Sequence, residues 1–503
     1  MKLKLPLSSR NWISLIGATI AIVSFFMIVF LFIISNFLGR NNSYVGLITY
    51  IALPAILIAG LLLIPIGMYI KVKKEKGKDA QKEKIWPVID FNNVHQRHGF
   101  FVFIVGSAIF LLASAVGSYE AFNYTESVEF CGATCHTVMK PEYTAYQNSP
   151  HARVRCVDCH VGEGAGWYVK SKMSGLYQVY AVTLGSYPAP IPTPIANLRP
   201  ARETCEQCHW PEKFYERKLR TEKHFLSDVK NSEWDISLVI KTGASFSALG
   251  LQEGIHKHIN PYVKIEYKAS DEKRESIPWV KYTDLKTGIS TIYEDKENKL
   301  SKDSLAKLPL RVMDCMDCHN RPSHNYKHPS FYINSALTSG DIPKELPEIK
   351  SASLQALGKS YSTTDSSMLM ISNELNKFYK DKYPEVYKLK KYLVDKAVSG
   401  LQKQFNQNVF PEMKVKWSVY PNNIGHMEFK GCFRCHNDSH TAESGKVISK
   451  DCTLCHSIIA QGAPGNMQVA PANGALEFKH PGDQVTDEWK QMLCVDCHSG
   501  IGQ

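Results

Sequence analysis

Seven times this chain places two cysteines and a histidine within a few residues: Cys131, Cys135 and His136; Cys156, Cys159 and His160; Cys205, Cys208 and His209; Cys315, Cys318 and His319; Cys432, Cys435 and His436; Cys452, Cys455 and His456; Cys494, Cys497 and His498. These sets use all 14 cysteines. Paired thiols followed at once by a histidine form the attachment pattern of c-type haem. The thiols add across the two vinyl groups as thioethers, and the histidine is held where its imidazole can ligate the iron. Structural zinc, a thioredoxin-like pair or a disulfide framework gives no reason for a histidine directly after every second cysteine. The first motif, CGATCH, has three residues between its cysteines and the others have two.

Covalent haem attachment takes place on the outer side of a bacterial inner membrane, and the absence of a leftover cysteine suits that oxidising side. The elements that must position such a domain are legible too. Trp12 to Leu38, Tyr44 to Ile70 and Phe100 to Gly117 are almost uncharged apolar runs, each close to the length that crosses a hydrocarbon core of about 30 Å. The first is far longer than the apolar part of a signal peptide, and no small-residue cleavage site follows it. Lys2, Lys4 and Arg10 precede the first run, and the second loop carries Lys71, Lys73, Lys74, Lys76, Lys78, Lys82, Lys84 and Arg97, against Arg40 alone in the first loop. This bias predicts a cytoplasmic N-terminus and, after three crossings, a periplasmic haem domain in the inner membrane. His95 and His98 then fall on the cytoplasmic side, as solvated juxtamembrane residues.

The formal charge of +11 is offset by the roughly fourteen propionates of seven haems, so nucleic acid is no sensible partner. The predicted fold is a membrane-anchored multihaem cytochrome c: three transmembrane helices plus a mainly α/irregular periplasmic haem domain with a small inserted β-sheet. The expected layout is a three-span anchor over 1–118, a core with haems one to three over 119–225, a β-rich insert with haem four over 226–342, a helical linker over 343–420 and a three-haem exit module over 421–503. Ile236 to Lys241, Val263 to Tyr267, Pro278 to Tyr282 and Ser290 to Tyr293 read as strands. Val386, Leu389, Leu393 and Ala397 have helical spacing.

The stretch CGATCHTVMKPEYTAYQNSPHARVRCVDCH, followed by TCEQCHWPEKF and CMDCHNRPSH, resembles the NapC/NirT family of membrane-anchored multihaem quinol dehydrogenases. That family usually has one span and four haems, and a methionine two residues after its first motif histidine; here Met139 lies three after His136. The resemblance nominates Met139 as a ligand of the first haem, with His136 competing. It implies a quinol site beside that haem, with Lys172 or its neighbour Lys170 near the quinone ring. Gln178 stands near where the family commonly has an acidic residue. Aromatic residues over Gly164 to Pro194 suit a membrane interface independently.

Distal iron ligands are expected from His151, His224 and His324, which lie in family contexts, and from His426, His440 and His480, which flank the last three motifs. Of His256 and His258, one is expected to ligate and the other not; the choice falls on His256. His328 is expected at the surface. Bis-histidine ligation closes iron to substrate and favours transfer. The functional expectation is therefore a menaquinol dehydrogenase of anaerobic respiration that passes electrons from the quinone pool through seven c-type haems to periplasmic multihaem cytochromes, with extracellular metal reduction one destination. A dedicated donor subunit in a reductase complex, a homo-oligomeric arrangement and, less well supported, a terminal oxyanion reductase are the alternatives.

Overall fold

The computed structural model describes residues 11–37, 48–76, 90–134, 136–162, 164–195, 200–210, 214, 216–243, 254–472, 474–482, 485 and 487–501. It has two compact units, Met1–Met139 with Arg155–Val157 and Lys140–Val154 with Asp158–Gln503.

The first unit carries helices α1 (Trp12–Phe37), α2 (Leu53–Lys76) and α3 (Val94–Thr125). Each contains a 22-residue stretch long and apolar enough to cross a membrane, about 33 Å at helical rise. Helices α1 and α2 pack where side chains vanish: a Cβ on Gly17 would fall 2.6 Å from the Gly60 carbonyl oxygen. The Ser14 hydroxyl donates to the Ile64 carbonyl at 2.8 Å. Small residues that admit close backbone approach, with a polar bond across the contact, are how helices associate without a hydrophobic drive. Along α3, Phe101, Ile104, Ile109, Leu111 and Leu112 are exposed, as lipid-facing side chains are.

The second unit is helical and irregular with two antiparallel sheets. Strands β1 (Arg217–Phe225) and β2 (Glu233–Lys241) form a hairpin. Strands β3 (Val263–Lys268), β4 (Trp279–Asp284) and β5 (Ser290–Asp295) form a meander whose edges take β6 (Arg311–Val312) and β7 (His440–Ala442). Strands β8 (His456–Ala463) and β9 (Asn466–Val469) extend the first hairpin in the order β1-β2-β8-β9. All four strands predicted from β-branched and aromatic residues are present. The sheets nevertheless recruit β7, β8 and β9 from beyond residue 421, so the β-structure is not confined to the insert. Strand β1, RKLRTEKHF, is mostly exposed and polar and escapes any hydrophobic alternation.

Helices α4 (Pro329–Ser339), α5 (Ile349–Leu357), α6 (Thr364–Lys382) and α7 (Lys391–Asn408) bury one core of Ile333, Leu346, Ile371, Leu375, Leu401 and Phe405. Gly400 lets α7 approach the chain before α5: a Cβ there would meet the Asp341 carbonyl oxygen at 2.4 Å. Of the helically spaced Val386, Leu389, Leu393 and Ala397, Ala397 is buried in this core and Val386 and Leu393 pack against it, whereas Leu389 departs from the pattern. The helix breaks at Lys390, Leu389 is 72% exposed, and the buried stripe is Val394, Ala397, Val398, Leu401 and Phe405. Asn231, in the left-handed region at φ 49°, ties the hairpin turn to the helices by donating to the Leu346 carbonyl at 2.8 Å and accepting from the Lys350 amide at 3.1 Å.

Candidate electron-transfer site

Every described motif from the second onward folds as a short helical turn. Cys156–His160, Cys315–Cys318 and Cys494–His498 are α-helical; Gly431–Arg434 and Cys452–Leu454 are 3-10 turns; Ala201–Cys205 is a helix whose end holds the third motif. The His319 amide donates to Cys315 at 2.8 Å, and His209 to Cys205 at 2.8 Å. In such a turn, residues three apart share a face, so both thiols point one way and the histidine follows at a fixed offset. Asp314 caps the fourth motif and Asp451 the sixth. None of the cysteines from Cys205 to Cys497 is paired in a disulfide. Among the described residues, no group of three or more histidine, cysteine or acidic side chains converges as a metal cluster would.

What converges instead is pairs of imidazoles. His160 faces His324 at 6.2 Å between ring centres. His209 faces His151 at 6.0 Å, and His319 faces His256 at 6.3 Å. His436 faces His258 at 5.9 Å, His456 faces His426 at 6.2 Å, and His498 faces His480 at 6.0 Å. Metal–imidazole bonds of about 2 Å on both sides of one iron put ring centres about 6 Å apart. The residues therefore fit six bis-histidine haems, each with one motif histidine and one distal partner.

The second ring nitrogens agree. Nδ1 of His151 donates to the Pro322 carbonyl at 3.3 Å, that of His256 to Thr242 at 2.9 Å, that of His258 to Ile255 at 2.7 Å, that of His436 to Ser449 at 2.9 Å and that of His480 to Pro481 at 2.9 Å. A carbonyl can only accept, so the proton sits on Nδ1 and the Nε2 lone pair is left for a metal.

Both His256 and His258 thus face motif histidines, where one was expected to stand aside. They lie on one 3-10 turn, Ile255–Ile259, and at three residues per turn side chains two apart point about 120° from each other, toward two different partners. His224 and His440 face no motif histidine among the described residues. The His440 ring is fully buried, with Nε2 donating to the Ile277 carbonyl at 2.7 Å and Nδ1 against Asn437 at 2.9 Å. His224 meets Asn334 at 3.4 Å. His328, expected at the surface, is buried: its Nδ1 accepts from the Ser330 amide, capping α4, and its ring lies edge-on to Trp417 at 4.3 Å.

Successive motifs are neighbours. The Cys205 thiol is pushed up first by its hydrogen bond with Cys315, with a further push from Cys159. Burial raises Cys318 to about 11, and Cys432 adds to that. Cys455 likewise stands at about 11 through burial and then Cys432, and Cys494 at about 11 through burial and then Cys452. Thiols of motifs two to seven are therefore within electrostatic reach in the order in which they occur along the chain. Asp317, inside the fourth motif, is 1% exposed and accepts from Tyr267 at 2.6 Å, Arg311 at 2.6 Å and Arg274 at 3.1 Å. Arg434 of the fifth motif donates to the Asp317 carbonyl at 2.7 Å, joining those two motifs.

Cys135 and the side chain of His136 lie outside the described residues, as does the side chain of His95; Met139 is half-buried and His98 exposed. The quinol-site candidates occupy the helix Ala165–Thr183. Lys170 lies over the Trp167 ring at 5.0 Å, Lys172 over Tyr168 at 4.9 Å, and Gln178 contacts Ser174 at 3.4 Å. Val169, Met173, Leu176, Tyr177, Val179 and Tyr180 of this helix are each more than half exposed, an apolar surface suited to a membrane interface.

Residues 93–190 match the NapC/NirT cytochrome c family, N-terminal region. The chain is 42% identical over 494 residues, 98% of its length and 96% of the relative's, to the cytochrome c-type protein ImcH of Geobacter sulfurreducens. It is 32% identical over 117 residues, 21% of its length and 66% of the relative's, to the cytochrome c-type protein NrfH of Wolinella succinogenes. No solved structure matches it. With covalent haem chemistry and three membrane-length helices in one chain, it belongs to the NapC/NirT-related family of membrane-anchored multihaem c-type cytochromes, alongside ImcH.

Proposed function

We propose that this protein oxidises menaquinol at the inner membrane and passes the electrons through seven c-type haems to periplasmic cytochromes. The observation that carries the transfer step is the set of six facing imidazole pairs on motifs that neighbour one another in chain order. The fourteen motif cysteines hold the haems. His160, His209, His319, His436, His456 and His498 are the proximal ligands, with His324, His151, His256, His258, His426 and His480 opposite them. The haem groups supply one-electron iron chemistry when bound, and histidine on both faces keeps the iron from binding substrate. The turn Ile255–Ile259 joins the fourth and fifth sites, because His256 and His258, two apart on it, serve one each.

Met139 or His136 serves the first site. Lys172, with Lys170 and Gln178 nearby on the same helix, orients quinol and hands on its protons, and the exposed apolar side chains of that helix favour a lipid-side approach. The loop lysines after α2 favour a cytoplasmic N-terminus and a periplasmic haem unit.

The test is reduction of the full-length protein in membrane vesicles by a menaquinol analogue, after pyridine haemochrome assay has counted seven haems per chain. Lys172→Ala should slow reduction by quinol and leave reduction by dithionite unchanged. A wild-type quinol rate in that variant refutes the assigned role of Lys172, and a count below seven refutes the full haem complement.

A further inference from the structure

The paired histidines differ in what touches the nitrogen turned away from the partner ring. For His151, His256, His258, His436 and His480 it is a main-chain carbonyl. For His324 it is a carbonyl and a carboxylate from the same residue: the main-chain oxygen of Glu142 lies 3.1 Å from Nδ1, and its Oε2 also lies at 3.1 Å. Among the described residues, His324 is the one paired histidine with a carboxylate in ion-pair range. The site is enclosed, with the Glu142 side chain 17% exposed. Arg321, 9% exposed, places Nη2 3.7 Å from Oε2 and donates from Nε to the His324 carbonyl at 2.7 Å. The Arg321 guanidinium rests over the rings of Tyr420 at 4.4 Å and Tyr326 at 5.3 Å, so two neighbouring aromatic rings pack against it.

We infer that Glu142 sets the redox potential of the haem held by His160 and His324, acting through the His324 ring. This rests on the proposed ligation by that pair. The Nδ1–H bonds the Glu142 main-chain oxygen, and the carboxylate oxygen 3.1 Å from the same nitrogen adds a negative charge that favours positive charge on the ring and makes Nε2 a stronger donor. Outer partners of metal-bound histidines tune the metal in this way. A stronger donor favours ferric over ferrous iron, so this haem is more reducing than a carbonyl-bonded imidazole alone would make it. The Arg321 guanidinium flanks the carboxylate at 3.7 Å. Glu142 is a positioning residue: it touches the ligand and no reacting atom.

The experiment uses full-length, haem-loaded protein in detergent, titrated electrochemically and followed by optical and low-temperature electron paramagnetic resonance (EPR) spectra. Glu142→Gln keeps the shape and the main-chain oxygen but removes the charge. It should raise the ferrous-to-ferric ratio of one low-spin haem about tenfold at fixed potential, about 59 mV for one electron, and leave the others in place. Glu142→Asp, which keeps the charge, should return toward the wild-type titration. His324→Ala should remove the same component from the low-spin set. Unchanged potentials in Glu142→Gln, with one low-spin haem lost in His324→Ala, overturn the role of Glu142 and leave the ligation standing. Loss of the low-spin signature in Glu142→Gln also overturns it, by making the residue structural. A full low-spin set in His324→Ala sinks the ligation itself.

Discussion

The assignment of His258 over His440 is the sharpest test of the distal ligands, because both lie near His436 and sequence reasoning prefers His440. The six imidazole pairs differ in the angle between ring planes. His256 with His319, His426 with His456 and His480 with His498 are near parallel, at 10°, 26° and 28°. His160 with His324 is intermediate at 47°, and His151 with His209 and His258 with His436 are crossed, at 72° and 79°. Parallel rings place their π orbitals on the same iron d orbital and split it from its partner, which produces a rhombic low-spin EPR signal. Crossed rings leave the two orbitals nearly degenerate and produce a highly anisotropic one. His258→Ala removes one crossed pair of two, so the highly anisotropic signal should fall by half, one high-spin haem should appear, and the rhombic signals should keep their area. His440→Ala leaves every pair intact. It strands the Ile277 carbonyl in a buried site, which costs about 1–3 kcal/mol of stability, with no spectral change. Quantitative low-temperature EPR on both variants decides the matter. If His440→Ala halves the anisotropic signal and His258→Ala spares it, the reasoning from ring spacing fails at this site.

Two further outcomes concern the scaffold. Asp317→Ala leaves Arg311 and Arg274 without the buried carboxylate that Tyr267 also bonds, and should lower stability by about 3–5 kcal/mol; a denaturation midpoint equal to wild type would contradict the hub role of this residue. Lys350 is buried, and burial pushes its pKa from 10.5 down to about 8. The unfolded chain therefore binds more protons between those values, so stability should rise with pH across that window by about 3 kcal/mol, the cost being fully present below pH 8. Lys350→Met should flatten that slope, and parallel melting-temperature profiles for variant and wild type from pH 8 to 10.5 would refute it.

Much of the chemistry was legible without any structure, because it depends on local spacing. A thiol pair and a following histidine are close along the chain, so all seven motifs were plain, and membrane spans are continuous runs whose solvent is known in advance. The four β-branched strands and the family resemblance in CGATCHTVMKPEYTAYQNSPHARVRCVDCH fall in the same class. Distal partners were legible only in part. His151, His256, His324, His426 and His480 were nominated and each faces a motif ring, whereas His258 was passed over and His224 and His440 face none among the described residues; which ring faces which is decided by the folded chain. His440 was misleading because closeness in sequence to His436 is not facing geometry: its Nε2 serves the Ile277 carbonyl, on the far side of a strand pairing. The tertiary structure likewise decided that β7 and β8 pair with strands far back in the chain, His440 with Asp295 and His456 with Ile240, since strand pairing is specified by the partner's packing and hydrogen bonds more than by a segment's own pattern. It alone brought Glu142 to His324, a helix residue and a loop histidine 182 positions apart, whose contact is a ring nitrogen on a main-chain oxygen with the carboxylate beside it.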